Sequence, residues 1–315
     1  MIKLDRSFFD EEVRCGFKVT EKRKKCWAVM MNLLHEFDVF AKKYSLEYFV
    51  GYGTLLGAIR HKGFVPWDDD IDIVMKRDEY MRMEECAKEY FNGREIGGRR
   101  LLFENAYTEN AALISYIAKI RDCETTIAEG YMINNGTFSG MSMDIFPLDA
   151  VSDGTNGMMI KSRMRGEMWL CFVYGQNYEM IFQQLFGGQS ILGDDVLKKI
   201  SNLDRNNRMK MFENFTLSMW GKSEVVGNFM DNLNDPNKKN AMLTSWQEVK
   251  YLPFENMMVP VPNGWEEILQ AEYGDYHKIV IGGSDHENSF YDPDTPYEVY
   301  EAGLKSIPDD WDGSL

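Results

Sequence analysis

Phe49-Val50-Gly51-Tyr52-Gly53-Thr54-Leu55-Leu56-Gly57-Ala58-Ile59-Arg60-His61-Lys62-Gly63-Phe64-Val65-Pro66-Trp67-Asp68-Asp69-Asp70-Ile71-Asp72-Ile73-Val74 is the stretch on which both fold and chemistry turn. It holds a glycine turn, a helical segment ending in three basic residues, a proline loop and a run of carboxylates leading into an apolar strand. Residues 46–50 read as a short strand stopped by Gly51-Tyr52-Gly53, with Thr54 as the N-cap of a helix over 55–61. Pro66 has no amide donor and biases Val65 away from helix, so 63–66 is a loop. A strand over 71–75 follows. Residues two apart on a strand share a face, which sets Asp70 beside Asp72 and turns Ile71 and Ile73 to the core.

Two adjacent carboxylates do not both stay ionised cheaply without a cation between them. Their oxygens suit Mg²⁺ or Mn²⁺, hard ions that hold phosphate oxygens in their remaining positions. Asp144, in Met143-Asp144-Ile145, is the third acid expected at this site, because apolar neighbours on a strand bury it on two sides and expose it at one point. Gly53 and Thr54 supply the phosphate side, where a glycine turn and a helix N-terminus offer backbone amides to an anion. Arg60, His61 and Lys62 are expected to neutralise a diphosphate, arginine bidentately. Competing readings exist. Asp68, Asp70, Asp72 and Glu79 match positions one, three, five and twelve of a calcium loop, but Ile73 stands where that loop needs glycine. Clustered aspartates also occur as solvated strand ends, and Asp144 taken alone can also be read as a buried acid satisfying backbone amides. His61 is weak as a base, and Asp285-His286 reads as ordinary loop.

Outward from this stretch, Trp27, Met30, Leu34, Phe37, Ala41 and Tyr44 draw one apolar stripe along a helix over 21–44, with Thr20 as its N-cap. A helix over 77–91 follows the acidic strand. Residues 113–121 alternate, with Ile114, Tyr116, Ala118 and Ile120 on one side and Ser115, Ile117, Lys119 and Arg121 on the other. A further strand over 141–146 is ended by Pro147. After Asp149, helices are expected over 157–174, 194–203 and 206–220, whose methionines read as adaptable core. Residues 232–240 read as a loop, 248–262 as strand and turn, 265–273 as helix, and the tail from 282 as irregular. The expected organisation is a catalytic core over 1–150 with its N-terminal helix, a helical section over 151–247, and a segment over 248–315 that returns to the core.

A formal charge of −15 disfavours nonspecific attraction to nucleic acid or anionic lipid, so a phosphorylated substrate needs a metal to compensate locally. The five cysteines form no Cys-x-x-Cys pair and read as reduced thiols, which leaves neither a disulfide frame nor a zinc site. No secretory signal and no transmembrane run stands out. The expected location is cytoplasmic or peripheral at the inner face of the membrane.

The block from Gly53 to Ile73 resembles the LicD/fukutin family of phosphotransferases. Met143-Asp144-Ile145-Phe146-Pro147-Leu148-Asp149 is similar to that family's second motif, and Leu252-Pro253-Phe254-Glu255, Val259-Pro260-Val261-Pro262-Asn263-Gly264 and Tyr273-Gly274-Asp275-Tyr276 resemble its C-terminal region. The resemblance implies an α/β (α+β) nucleotidyltransferase fold like the palm of polymerase β, a mixed sheet flanked by helices. It implies transfer of a phosphorylated alcohol, phosphocholine-like, from a CDP-activated donor to a sugar hydroxyl of a cell-surface glycan, with CMP leaving. Asp70 and Asp72 would hold the metal, and Asp144 would activate the hydroxyl or share a metal. Lys119 and Arg121 sit where the family has basic strand residues. Tyr52 stands where many members have glycine, a change expected to narrow or stack on the donor pocket. Two other classes remain as readings, a true nucleotidyltransferase that passes the nucleotide to its acceptor and a non-catalytic nucleotide- or glycan-binding module.

Overall fold

The computed structural model describes residues 2–108, 116–235, 237–282, 288–311 and 315. Leu113, Ile114 and Ser115 of the expected strand, and Asp285 and His286 of the tail, lie outside them. A hairpin of β1 (Glu12–Arg14) and β2 (Phe17–Val19) leads into α1 (Glu21–Tyr44), β3 (Phe49–Val50), α2 (Tyr52–Arg60), β4 (Asp72–Lys76) and α3 (Arg77–Tyr90). Then come β5 (Asn92–Ile96), β6 (Arg99–Glu104), β7 (Ala118–Ala128), α4 (Gly130–Asn135) and β8 (Ser139–Ala150). A helical stretch holds α5 (Asn156–Tyr174), α6 (Tyr178–Phe186), α7 (Asp194–Ser201) and α8 (Arg205–Met219), followed by β9 (Val225–Gly227), α9 (Phe229–Asn234) and β10 (Ala241–Met242). The chain closes with β11 (Val249–Phe254), β12 (Met257–Pro262), α10 (Trp265–Tyr273), β13 (Phe290–Asp292) and α11 (Tyr297–Glu301).

This is an α/β protein built on one mixed sheet. β4 runs parallel to β8 and antiparallel to β3, while β7, β6 and β5 extend the sheet antiparallel from the other side of β8. Register places Asp72 opposite Asp144 across the β4–β8 pair, and Asp144 opposite Lys119 across β7–β8. Strand alternation then sorts the faces. Met141, Met143 and Ile145 of β8, with Ala118 and Ile120 of β7, are buried in the same apolar cluster as α1. Ser142, Asp144, Lys119 and Arg121 take the opposite face and stay partly accessible.

Thr20 caps α1 as expected, its hydroxyl accepting from the Arg23 amide at 3.1 Å. The buried surface of α1 is wider than one stripe, with Cys26, Met31, Leu33 and Phe40 also at 1% exposure or less. The sheet lies along one side of the helix and the segment Arg6–Phe9 along another, so more than one face is covered. Apolar residues of β12 and α10, including Val259, Val261 and Leu269, join this same cluster.

The helical stretch has its own apolar cluster around Trp169, Phe172, Phe212 and Phe229. Buried charge stitches it to the sheet. Asp149 at the end of β8 is fully buried and accepts from Arg77 Nε at 2.6 Å, from Arg77 Nη2 at 3.0 Å and from the Tyr116 hydroxyl at 2.8 Å. Arg165 of α5 lies 4.0 Å from the same carboxylate.

Three expectations need correcting. Pro147 does not end its strand, because β7 stops pairing at Ile145 and the missing amide falls between that partner and β9, whose pairing begins at Asp149. Residues 232–234 complete a short helix capped by Asn228 before the loop begins. The tail also contributes β13, which pairs with the far end of β7, and α11.

Candidate functional site

The helix after the glycine turn begins earlier than its Thr54 cap would require. Its N-cap is Gly51, and Tyr52, Gly53 and Thr54 form the first turn. Thr54 is buried inside the helix, and its hydroxyl accepts from the Asp72 amide at 2.9 Å, which ties the start of β4 to α2. Gly53 is required by close approach, since a Cβ there would lie 2.3 Å from Asp68 Oδ2. Gly57 is required in the same way, a Cβ lying 2.4 Å from the Gly63 carbonyl oxygen where the loop doubles back.

Behind this loop, α1 holds the backbone carbonyl of Asp68. Both Arg23 Nη1 and Trp27 Nε1 donate to it at 2.9 Å. The loop is thereby fixed against α1. Asp68, Asp69 and Asp70 each offer a carboxylate oxygen, and these lie within 4.8 Å of one another. Asp69 also accepts from the Tyr291 hydroxyl of β13 at 3.0 Å. β4 starts at Asp72, so Asp70 belongs to the extended segment just before it, while Ile71 and Ile73 point into the core as expected.

Asp72 and Asp144 are brought together by register, and Lys119 Nζ bonds Asp144 Oδ2 at 2.9 Å. Burial, then the charges of Asp70, Asp144 and Asp68, push the Asp72 carboxyl well above its ordinary range, with Lys119 opposing. Burial, then Asp70 and Asp69, push Asp68 up in the same way. Five carboxylates thus meet few cations of the protein's own. Oxygen donors of one sign at this spacing fit a hard divalent cation. Asp69, Asp70, Lys119, Arg121 and Asp144 line a cleft of ≈ 480 Å³ that opens from this cluster. Arg121 is held there by Glu104 and by the Gly140 carbonyl, the latter at 2.8 Å.

The structure places the other basic residues elsewhere. Arg60, His61 and Lys62 lie at the opposite end of α2 from Gly53, about 10 Å along its axis. Arg60 Nη1 donates to the carbonyls of Tyr276 and Lys278 at 2.9 and 3.2 Å, and its Nε donates to His61 Nε2 at 2.8 Å. Burial, then Arg60 and Arg14, lower the His61 pKa to about 4, so the ring is neutral at pH 7 and adds no positive charge. Tyr52 has a φ of 42°, a conformation that favours glycine. Its ring meets Phe146 at 4.8 Å and its hydroxyl accepts from Asn228 at 3.0 Å, which turns it away from the cleft. Asp149, five residues on from Asp144 in the same strand β8, is consumed by its buried arginine pair.

Sequence reasoning left Asp68, Asp69 and Tyr291 out of the site. The unbroken Asp68-Asp69-Asp70 run was the available signal for the first two; nothing local marks Tyr291.

A family profile described as LicD/FKTN/FKRP, nucleotidyltransferase domain, matches residues 45–164, which contain α2, the acidic loop, β4, β7 and β8. The chain is 30% identical over 256 residues to the lipopolysaccharide cholinephosphotransferase LicD of Haemophilus influenzae, covering 80% of this chain and 89% of that protein. An uncharacterised Rickettsia prowazekii protein is 30% identical over 98 residues, 31% of this chain and 34% of its own. Similarity that runs through nearly the whole of the Haemophilus protein carries the acidic loop, the sheet and much of the chain beyond the profile together, and this chain belongs to the LicD family.

Proposed function

We propose that this protein transfers a phosphorylated alcohol, phosphocholine or a close analogue, from a CDP-activated donor to a sugar hydroxyl of a cell-surface glycan. The observation that carries the proposal is the convergence of Asp68, Asp69, Asp70, Asp72 and Asp144 beside a cleft lined by Lys119 and Arg121. The Haemophilus relative, named for cholinephosphate transfer to lipopolysaccharide, supports the choice of substrates.

In this reading Asp70 and Asp72, with Asp68 or Asp144 alongside, hold Mg²⁺ or Mn²⁺. When bound, the ion supplies charge stabilisation on phosphate oxygens. The remaining work falls to side chains. Gly53 and Thr54 present first-turn amides beside the acidic loop, where a phosphate oxygen gains from the helix dipole. Lys119 and Arg121 supply fixed positive charge in the cleft, so the donor's diphosphate faces cations rather than carboxylates alone. Asp144 takes the proton of the acceptor hydroxyl, and Lys119 holds that carboxylate in place. The hydroxyl oxygen forms a bond to the phosphorus that carries the alcohol. The bond from that phosphorus to CMP breaks, and CMP leaves with the electron pair. Among the described residues no helix is long and apolar enough to cross a membrane, so a lipid-linked acceptor would be met at a surface.

The experiment is incubation with Mg²⁺ and a panel of CDP-alcohols carrying label in the nucleoside or in the alcohol. Transfer of the alcohol label with release of labelled CMP supports the proposal. Nucleoside label joining the acceptor would assign a nucleotidyltransferase instead, and no release from any donor would leave a binding module.

A further inference from the structure

A second and smaller cavity opens beside the first turn of α2. Its walls include three aromatic rings, Tyr52, Trp246 and Tyr273, two carboxylates, Asp231 and Glu272, and two lysines, Lys238 and Lys239. The cavity measures ≈ 60 Å³. Lys238 Nζ already sits 2.9 Å from Glu272 and 3.9 Å from Asp231, so the chain's own ammonium occupies this acidic pair. The first turn of α2 connects the cavity to the acidic cluster: Tyr52 and Leu55 line the cavity, and between them Gly53 closely approaches Asp68 and the Thr54 hydroxyl accepts from the Asp72 amide. Burial, then the charges of Glu272, Asp68, Asp72 and Asp70, also raise the pKa of the Tyr273 hydroxyl.

A quaternary ammonium has no N–H to donate and is recognised instead by aromatic faces and by nearby negative charge. Trp246 is 5% exposed and its Nε1 meets no acceptor among the described residues, which leaves one donor over for a ligand oxygen. The ring at Tyr52 stands in a backbone conformation that favours glycine, and its hydroxyl is anchored by Asn228. Tyr52 thereby gives this cavity an anchored aromatic wall.

We propose that this cavity receives the organic-ammonium end of the transferred group, and that Lys238 is a tethered ammonium which fills the same carboxylates when the ligand is absent. The inference rests on the transfer reading above and deepens it, since it assigns the cationic end of the substrate to a named cavity and gives Lys238 a role there. It divides the labour between two spaces. The cleft with Lys119 and Arg121 faces the anionic diphosphate, and the aromatic cavity faces the cation.

The test is calorimetric titration of the full chain with tetramethylammonium and with phosphocholine, beside CMP release from CDP-choline. Tyr273→Leu should weaken both ligands by about 2- to 30-fold, the worth of one cation–π contact. Asp231→Asn should weaken them as well. Lys238→Met should tighten them, a gain that misfolding cannot mimic. Equal affinities in wild type and all three variants, or no binding by the wild type, would overturn the assignment. CMP release with a KM for CDP-choline unchanged in every variant would refute the cavity and leave the transfer reaction standing. Ammonium binding that follows the variants, without turnover of any CDP-alcohol, would keep the cavity and sink the transfer reading.

Discussion

Replacing Asp149 by asparagine should cost this protein more than any other single acid outside the cluster. The carboxylate and its Arg77 partner are 0% and 1% exposed, and two arginine nitrogens bond it at 2.6 and 3.0 Å. Burial alone would lower the Arg77 pKa, but the charge of Asp149 and its hydrogen bonds outweigh burial and hold it above its ordinary value. Arg165, 1% exposed, faces the same carboxylate and has burial lowering its own pKa. The Asp149→Asn variant would take the nearest counter-charge from two buried guanidinium groups, leaving Arg77 only weaker charges such as that of Glu213. Removing one partner of a buried pair costs about 3–5 kcal/mol. At roughly 2.1 cal/mol/K per residue, 315 residues carry an unfolding entropy of about 0.66 kcal/mol/K, so the melting temperature should fall by about 5–8 °C. Differential scanning calorimetry at pH 7 measures it. A fall of under about 2 °C, with an unchanged heat of unfolding, would refute the view that this pair fastens the helical stretch to the sheet.

Asp144→Asn should reduce acceptor transfer by about 10²–10⁴-fold while donor binding persists, if that acid takes the hydroxyl proton; single-turnover and binding assays on the same preparation separate the two. Asp72→Asn should raise metal-free stability at neutral pH. A carboxyl raised in the folded state binds more protons folded than unfolded, so wild-type stability falls as pH climbs from the unfolded pKa through the folded one. The variant's advantage should therefore be present at pH 7 and vanish near pH 4, as urea melts across that window would show; a variant less stable at pH 7 would contradict it. Arg60→Ala should loosen the segment carrying Tyr276 and Lys278, read as faster hydrogen exchange there, whereas an equally large loss of donor affinity would return Arg60 to the phosphate site.

Local signals in the chain were sufficient for much of this architecture. The apolar periodicity and Thr20 defined α1, and alternation separated Lys119 and Arg121 from Ala118 and Ile120. The carboxylate row was visible as a site because Ile71 and Ile73 alternate with it. What could not be read is contact between distant segments. The parallel register that sets Asp72 opposite Asp144 joins strands some seventy residues apart, and no local pattern encodes it. Arg60 and His61 looked like phosphate ligands because they follow the glycine turn, yet the helix between carries them to its other end. Asp149 reads like a spare acid until Arg77 and Tyr116 are seen to enclose it. β13 is three residues long, too short for any periodicity, and its Tyr291 reaches Asp69 only through pairing with β7.

The proposed role of the five carboxylates is to hold a metal that lets a negatively charged donor approach. The measurement that meets it most directly is calorimetric titration of CDP-choline into the wild type and into Asp70→Asn, each with Mg²⁺ and with EDTA. The account predicts saturable binding by the wild type in Mg²⁺ that is lost in EDTA and much weakened in the variant. Equal binding with and without metal, or an Asp70→Asn protein that binds as the wild type does, would contradict it.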